Sequence, residues 1–154
     1  MKQITLIVIA DSWHHFEKPI QEYTKRLQKE LDIVYIKPSR YDDTHLCRER
    51  DTKNVIDILK KYSHAHKVLC DMHGKNPWNT EEFATWFRQK SQNNKGLVFI
   101  IGGSYGLDVQ LLDTWVQELI SLSSWTLPHA LAVLVLLEQL YRINNFLSGG
   151  KYHH

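Results

Sequence analysis

Leu97-Val98-Phe99-Ile100-Ile101-Gly102-Gly103-Ser104-Tyr105-Gly106-Leu107 is the stretch on which the fold turns. Five consecutive apolar residues, too few for a helix and rich in branched side chains, have the pattern of a strand buried on both faces of a parallel sheet. Glycines at the C-terminal end of such a strand let the backbone approach a ligand closely, and open α/β sheets bind their ligands at that edge. The motif is not G-x-G-x-x-G, because Ile101 stands where the first glycine would be, and no G-K-[ST] follows. A dinucleotide or nucleoside-triphosphate site is therefore disfavoured. Taken alone, the segment fits a plain tight turn equally well.

Working outward, the rest of the chain repeats the alternation of strand and helix. Residues 4–10 are short, β-branched and nearly all apolar, a second two-sided strand. Over 14–31 the period changes, with Phe16, Ile20, Tyr23, Leu27 and Leu31 recurring every three or four positions among charged residues, which predicts an amphipathic helix. A strand over 33–37, ended by Pro38, precedes a helix whose apolar stripe includes Val55, Ile56, Leu59 and Tyr62. Residues 68–72 read as a strand, and His73-Gly74-Lys75-Asn76-Pro77 as a turn or loop. Asn79 with Glu82 fits a capping box that places Phe83, Trp86 and Phe87 on one helical face. A helix is expected around 108–115, a hydroxyl-rich segment over 119–127, and a last helix with Pro128 in its first turn. The class is α/β with a largely parallel sheet flanked by helices, in one domain over residues 1–154.

The 154 residues are 43% hydrophobic and 23% charged, ordinary globular usage that sets aside disordered, collagen-like and coiled-coil classes. A formal charge of +2 argues against a protein that coats a phosphate backbone, while local groups such as Arg40, Arg48 and Arg50 leave a basic patch open. Cys47 and Cys70 make neither a CxxC pair nor a zinc site, so no metal is expected and the thiols are read as reduced, in the cytoplasm. No signal-peptide pattern is present, and the longest apolar run, 130–137, is far short of the roughly 20 residues of a bilayer crossing. A soluble protein without membrane contact is expected.

Two further segments bear on chemistry. Leu122-Ser123-Ser124-Trp125-Thr126-Leu127-Pro128-His129 interleaves apolar and hydroxyl side chains before a helix. Such a loop can wrap a flat aromatic ligand between apolar walls while backbone groups read its edge. It is equally the pattern of a strand followed by a hydroxyl cap. In the final helix, residues 130–137 are apolar around the whole circumference, so the domain or a second subunit must cover every side. Glu138 and Arg142 then fall at i and i+4, the spacing of a surface ion pair.

In order and nearly end to end, these segments resemble the RlmH family, SPOUT-class methyltransferases that modify a pseudouridine at N3 in bacterial 23S rRNA. The resemblance rests on Glu22-Tyr23-x-x-Arg26-Leu27, Cys70-Asp71-x-x-Gly74-Lys75 and Gly102-Gly103-Ser104-Tyr105-Gly106-Leu107. Its most specific parts are Thr126-Leu127-Pro128-His129, Leu137-Glu138-Gln139-Leu140-Tyr141-Arg142 and Tyr152-His153. It implies a SPOUT-type α/β trefoil knot, a homodimer, and S-adenosylmethionine held by Cys70, Gly102, Leu122, Ser123, Ser124, Trp125, Thr126 and Leu127. Its substrate would be 23S rRNA within the ribosome, and because the N3 proton must leave, a base or hydrogen-bond acceptor near the tail is expected, with Tyr152 and His153 as the candidates and Glu138 and Arg142 holding the tail or a phosphate. Cys70 stands where the family usually has Leu, and Val133 where it typically has Arg. The second departure keeps open a catalytically weakened ribosome-binding protein of the same fold, and the low net charge keeps open a small-molecule-binding α/β domain.

Overall fold

The computed structural model describes residues 2–75 and 79–150. Five strands, β1 (Ile4–Ile9), β2 (Leu31–Ile36), β3 (His66–Lys75), β4 (Leu97–Ile101) and β5 (Glu118–Ile120), form one sheet in the order β2-β1-β4-β3-β5. Every pairing is parallel. The helices are α1 (Glu17–Arg26), α2 (Thr44–Leu59), α3 (Thr80–Asn93), α4 (Val109–Leu112) and α5 (His129–Leu147).

Alternation along the central strands explains why both faces are covered. Leu6 and Val8 of β1 and Leu97, Phe99 and Ile101 of β4 point to one side, where they pack with Ile20 of α1, Phe83 and Trp86 of α3, and Val133, Leu136, Leu137 and Leu140 of α5. Ile7, Ile9, Val98 and Ile100 point to the other, against Val55 and Leu59 of α2 and Leu112 of α4. Each fully buried Leu, Ile or Val stabilises by about 1.5–3 kcal/mol, so the two layers together outweigh any one contact. By length and composition α5 passes for a membrane span, but its buried positions lie in this core.

The predicted strands at the centre of the sheet and the capping box are found. Asn79 Oδ1 accepts from the Glu82 N–H at 2.8 Å, and Glu82 Oε2 accepts from the Asn79 N–H at 3.1 Å. The expected helix over 14–31 is shorter. A 3-10 turn at His14–Phe16 leads into α1, which stops at Arg26, and Leu31 begins β2 by pairing with Ile4. An apolar residue at that position suits a helix stripe and a strand equally, and the pairing with β1 decides it. The helix over 108–115 contracts to the single turn of α4, with the Asp108 carboxylate accepting from the Leu111 N–H at 3.1 Å. Pro128 is the N-cap of α5, one place before the first-turn position expected of it.

The largest correction concerns His73-Gly74-Lys75, which is strand and not turn; Asn76 and Pro77 lie outside the described residues. Both Cys70 and Lys75 pair with Ile120, so residues 71–74 bulge out between two contacts with the same β5 residue. The Ser121 N–H donates to the Lys75 carbonyl at 2.8 Å and closes the ladder. A Cβ on Gly74 would sit 2.6 Å from the Ile120 backbone nitrogen and carbonyl carbon, closer than any carbon can approach. At its other end β5 is pinned by the Glu118 carboxylate, which accepts from Trp86 Nε1 at 2.9 Å and lies 2.7 Å from His66 Nε2.

Gly74→Ala must therefore push β5 off β3. It is expected to destabilise by about 1–3 kcal/mol, the usual cost of overpacking, read as a lower urea midpoint with unchanged slope. An unchanged midpoint would show that β5 yields freely.

Candidate functional site

A cavity of about 620 Å³ opens at the C-terminal ends of β3, β4 and β5. Four segments line it: residues 69–72 at the bulge of β3, Ile101 to Ser104 with Gly106 and Leu107 after β4, most of the 121–128 segment after β5, and His129 and Ala132 from the first turn of α5. The position follows from the sheet order. β4 lies between β1 and β3, whereas the next strand in the chain lies beyond β3, so the loops leaving β4 and β5 flank the end of β3. Crevices at such reversals are where open α/β sheets take ligands.

The glycines contribute by what they lack. A Cβ on Gly103 would come within 3.1 Å of the Ile9 carbonyl oxygen, and one on Gly102 within 3.0 Å of Leu107 Cγ. Gly106 turns the loop at φ +72°, a region that side chains disfavour, and its N–H donates to the Gly103 carbonyl at 3.0 Å. The 121–128 segment holds itself by hydroxyls. Ser121 Oγ donates to the Ser123 carbonyl, and Ser123 Oγ accepts from the Trp125 N–H at 2.9 Å. This fixes the backbone while leaving the Trp125 residue 81% exposed at the mouth.

The ionisable groups are few. Burial, reinforced by the neighbouring Asp71 charge, pushes the Cys70 thiol up to about 12, so it is protonated at neutral pH and serves as wall rather than nucleophile. Asp71 Oδ1 accepts from the His73 N–H at 2.9 Å and meets His73 Nδ1 at 3.0 Å. Burial holds the His129 imidazole below the ordinary histidine range, with nearby His14 acting in the same direction and Asp11 against it.

Of the residues assigned to a ligand from the sequence, Cys70, Gly102, Leu122, Ser123, Trp125, Thr126 and Leu127 meet around this one cavity, and Ser124 is not among its lining residues. Glu138 and Arg142 stand elsewhere, about 14 and 20 Å along the α5 axis from His129 at a rise of 1.5 Å per residue. They pair with each other, Arg142 Nε donating to Glu138 Oε1 at 2.9 Å, and Glu138 accepts from Gln139, whose own amide oxygen accepts from Thr80. Tyr152 and His153 lie outside the described residues. Asp71, Gly103 and His129 line the cavity as well. Gly103 and His129 belong to the two segments read as able to meet a ligand and Asp71 follows Cys70, but none of the three was assigned a contact of its own.

A parallel α/β sheet with a glycine-bordered cleft at its strand ends defines a ligand-binding α/β protein, and the comparisons narrow the class. The family described as "Predicted SPOUT methyltransferase" matches residues 1–153, so the chain belongs to the SPOUT methyltransferase family. It is 33% identical over 155 residues to "Ribosomal RNA large subunit methyltransferase H" of Pseudothermotoga lettingae, covering 99% of each chain. The protein of the same name from Phocaeicola vulgatus is 34% identical over 158 residues, covering 100% of this chain and 99% of that one. In fold it is similar to a solved structure titled "Probable Methyltransferase" from Bordetella pertussis Tohama I, with a TM-score of 0.56 at 10% identity, covering 92% of this chain and 94% of the other.

Val133, where an arginine was expected from the resemblance, is 0% exposed and packs in the core between α5 and the sheet. It does not line the cavity, so its apolar character belongs to packing. Val133→Arg would bury an unpaired guanidinium, and is expected to cost several kcal/mol, read as a collapse of the urea midpoint. A variant as stable as wild type would mean that α5 can rotate this position outward.

Proposed function

We propose that the cavity binds S-adenosylmethionine and that the chain methylates N3 of a pseudouridine in 23S rRNA of the assembled ribosome. The observation that carries this reading is the convergence, in a member of the SPOUT family, of the glycine loop, the hydroxyl loop and the start of α5 on one cleft.

The cleft fits the ligand on its own terms. At about 620 Å³ it matches the size of nucleoside and drug-like sites. Cys70, Leu122 and Leu127 supply apolar walls for a flat base, and Gly102 and Gly103 let backbone N–H and C=O groups reach its edge. The first turn of α5 has no side-chain cap and no acidic residue, so its amides are available to a carboxylate. When bound, S-adenosylmethionine supplies a methyl group on positively charged sulfur. The protein's task is then to align sulfur, methyl carbon and target nitrogen, and to exclude water.

In this reading the whole chain is one cytoplasmic domain, and the loops after β4 and β5 are those of a trefoil knot. Two chains associate through α5, whose Leu131, Leu134 and Val135 are only partly covered within one copy. The tail with Tyr152 and His153, steadied by Glu138 and Arg142, holds the RNA. A ribosome-bound target suits the small net charge, because shape and two subunits share the binding that phosphate contacts alone would otherwise have to supply.

Tritiated methyl transfer to ribosomes, separated subunits and naked rRNA, with mass spectrometry of the nucleosides, tests the proposal. Label is expected in large-subunit RNA of intact ribosomes far above that in naked RNA. Deleting residues 152–154 should abolish transfer while leaving S-adenosylhomocysteine affinity, measured by calorimetry, within a few-fold, since none of the residues assigned to the cofactor is removed. No binding heat at millimolar ligand would remove the cofactor, and unchanged transfer after the deletion would remove the tail from the site.

A further inference from the structure

Methylating an imide nitrogen requires that its proton leave, and the described side chains lining the cavity can be taken in turn for that role. Serine and threonine hydroxyls are not basic. Cys70 is held as the neutral thiol at neutral pH. Asp71 Oδ1 takes two contacts from His73, and a carboxylate is by nature a weaker base than an imidazole. His129 remains. The half-buried residue lines the cavity, and its imidazole makes no hydrogen bond to any described residue.

The surroundings hold that ring in place by shape rather than by a polar partner. Trp13, itself buried, packs at 6.3 Å between ring centroids and 47° between planes. Trp13 is fixed in turn by its N–H donating to Glu17 Oε2 at 3.1 Å, and by Nε1 donating to the Tyr35 hydroxyl at 3.4 Å. The next residue, His14, is at φ +50°, the sole non-glycine in the left-handed region among the described residues. Strain of that kind persists where surrounding structure requires it, here beside the wall behind His129.

We propose that His129 is the proton acceptor of the methyl transfer, a role that rests on the reading of the cavity as the S-adenosylmethionine site. The nitrogen lone pair forms the new C–N bond as the carbon–sulfur bond breaks, its electron pair returning to sulfur. The N–H proton passes to a ring nitrogen of His129 and later to water. Positive charge leaves sulfur as it arrives on the imidazole, so the cavity's net charge is unchanged through the step. A base that is neutral beforehand suits this, since it can lie near a sulfonium and still accept a proton. The tail is then left to hold the RNA.

The test is single-turnover transfer to ribosomes at saturating S-adenosylmethionine, as a function of pH, for wild type, His129→Asn and His129→Gln, with His153→Asn alongside. The titratable groups near the ring are His14 and Asp11 from the segment after β1, and Asp71 of β3 lines the same cavity; Arg40 pairs with Asp11 at 2.8 Å. His129 must be neutral to act, so the wild-type rate should rise with pH to a plateau, with the midpoint of the rise below the ordinary histidine value. Both His129 variants should bind S-adenosylhomocysteine within a few-fold of wild type and transfer about 10²- to 10³-fold more slowly. Their plateau should give way to a rate that climbs with pH as the substrate nitrogen ionises unaided. His153→Asn, in the tail assigned to holding the RNA, should transfer more slowly yet keep the acid limb of the wild-type profile. A His129→Asn rate within a few-fold of wild type with the same acid limb overturns the proposal, as does a wild-type profile without that limb, which needs no variant to fold. Absence of any transfer by wild type overturns instead the reading of the site on which the proposal rests.

Discussion

The contact on which the site depends is the approach of Gly74 to the Ile120 backbone. Strand β5 is only three residues long, too short to fix its own position by ladder hydrogen bonds alone. It is held because β3 bulges over residues 71–74 and returns to pair with Ile120 a second time, which a glycine hydrogen permits and a methyl group does not. Everything downstream inherits that placement: the Ser121 turn, the hydroxyl loop that walls the cavity, and the entry of the chain into α5. The bulge also turns Cys70, Asp71 and Met72 toward the same opening. One close backbone contact thus builds two of the cavity's walls.

Helix α5 serves three purposes on three parts of its surface. Ala130, Val133, Leu136, Leu137, Leu140 and Ile143 complete the core on one face of the sheet. Its first turn closes the cavity, with His129 inward and the N-terminal amides uncapped. Its remaining apolar side chains are half covered, which is what a helix apolar on all sides must leave when a sheet lies along only one of them. Farther along, the Thr80–Gln139–Glu138–Arg142 chain of hydrogen bonds ties α5 to the start of α3.

The cavity is almost free of charge, and that shapes what it can hold. Its described walls are backbone, hydroxyl and apolar groups, with a protonated thiol, the Asp71 carboxylate bonded to His73, and an imidazole that burial biases toward the neutral form. Among the described lining residues, a ligand carrying its own positive charge meets no fixed cation.

Sequence by itself determined the layers. Two-sided apolar runs at 4–10 and 97–101 mark buried parallel strands because no other environment tolerates them, and the Asn79–Glu82 box fixes the start of α3 by purely local hydrogen bonds. The candidate cleft was legible too, since glycine after a strand and alternating hydroxyls before a helix signal backbone exposure locally. Only tertiary structure decided the rest. Leu31 could extend a helix or begin a strand, and β1 made the choice. His73-Gly74-Lys75 has the composition of a turn and is strand because Ile120 lies against it. Val133 occupies a position where the resemblance places a charge, and its burial makes it a packing residue. Glu138 and Arg142 share a helix with His129 but stand well away from the cleft. In each case the energy that settles the matter comes from a partner distant in sequence, and no local pattern encodes a contact with a residue it does not contain.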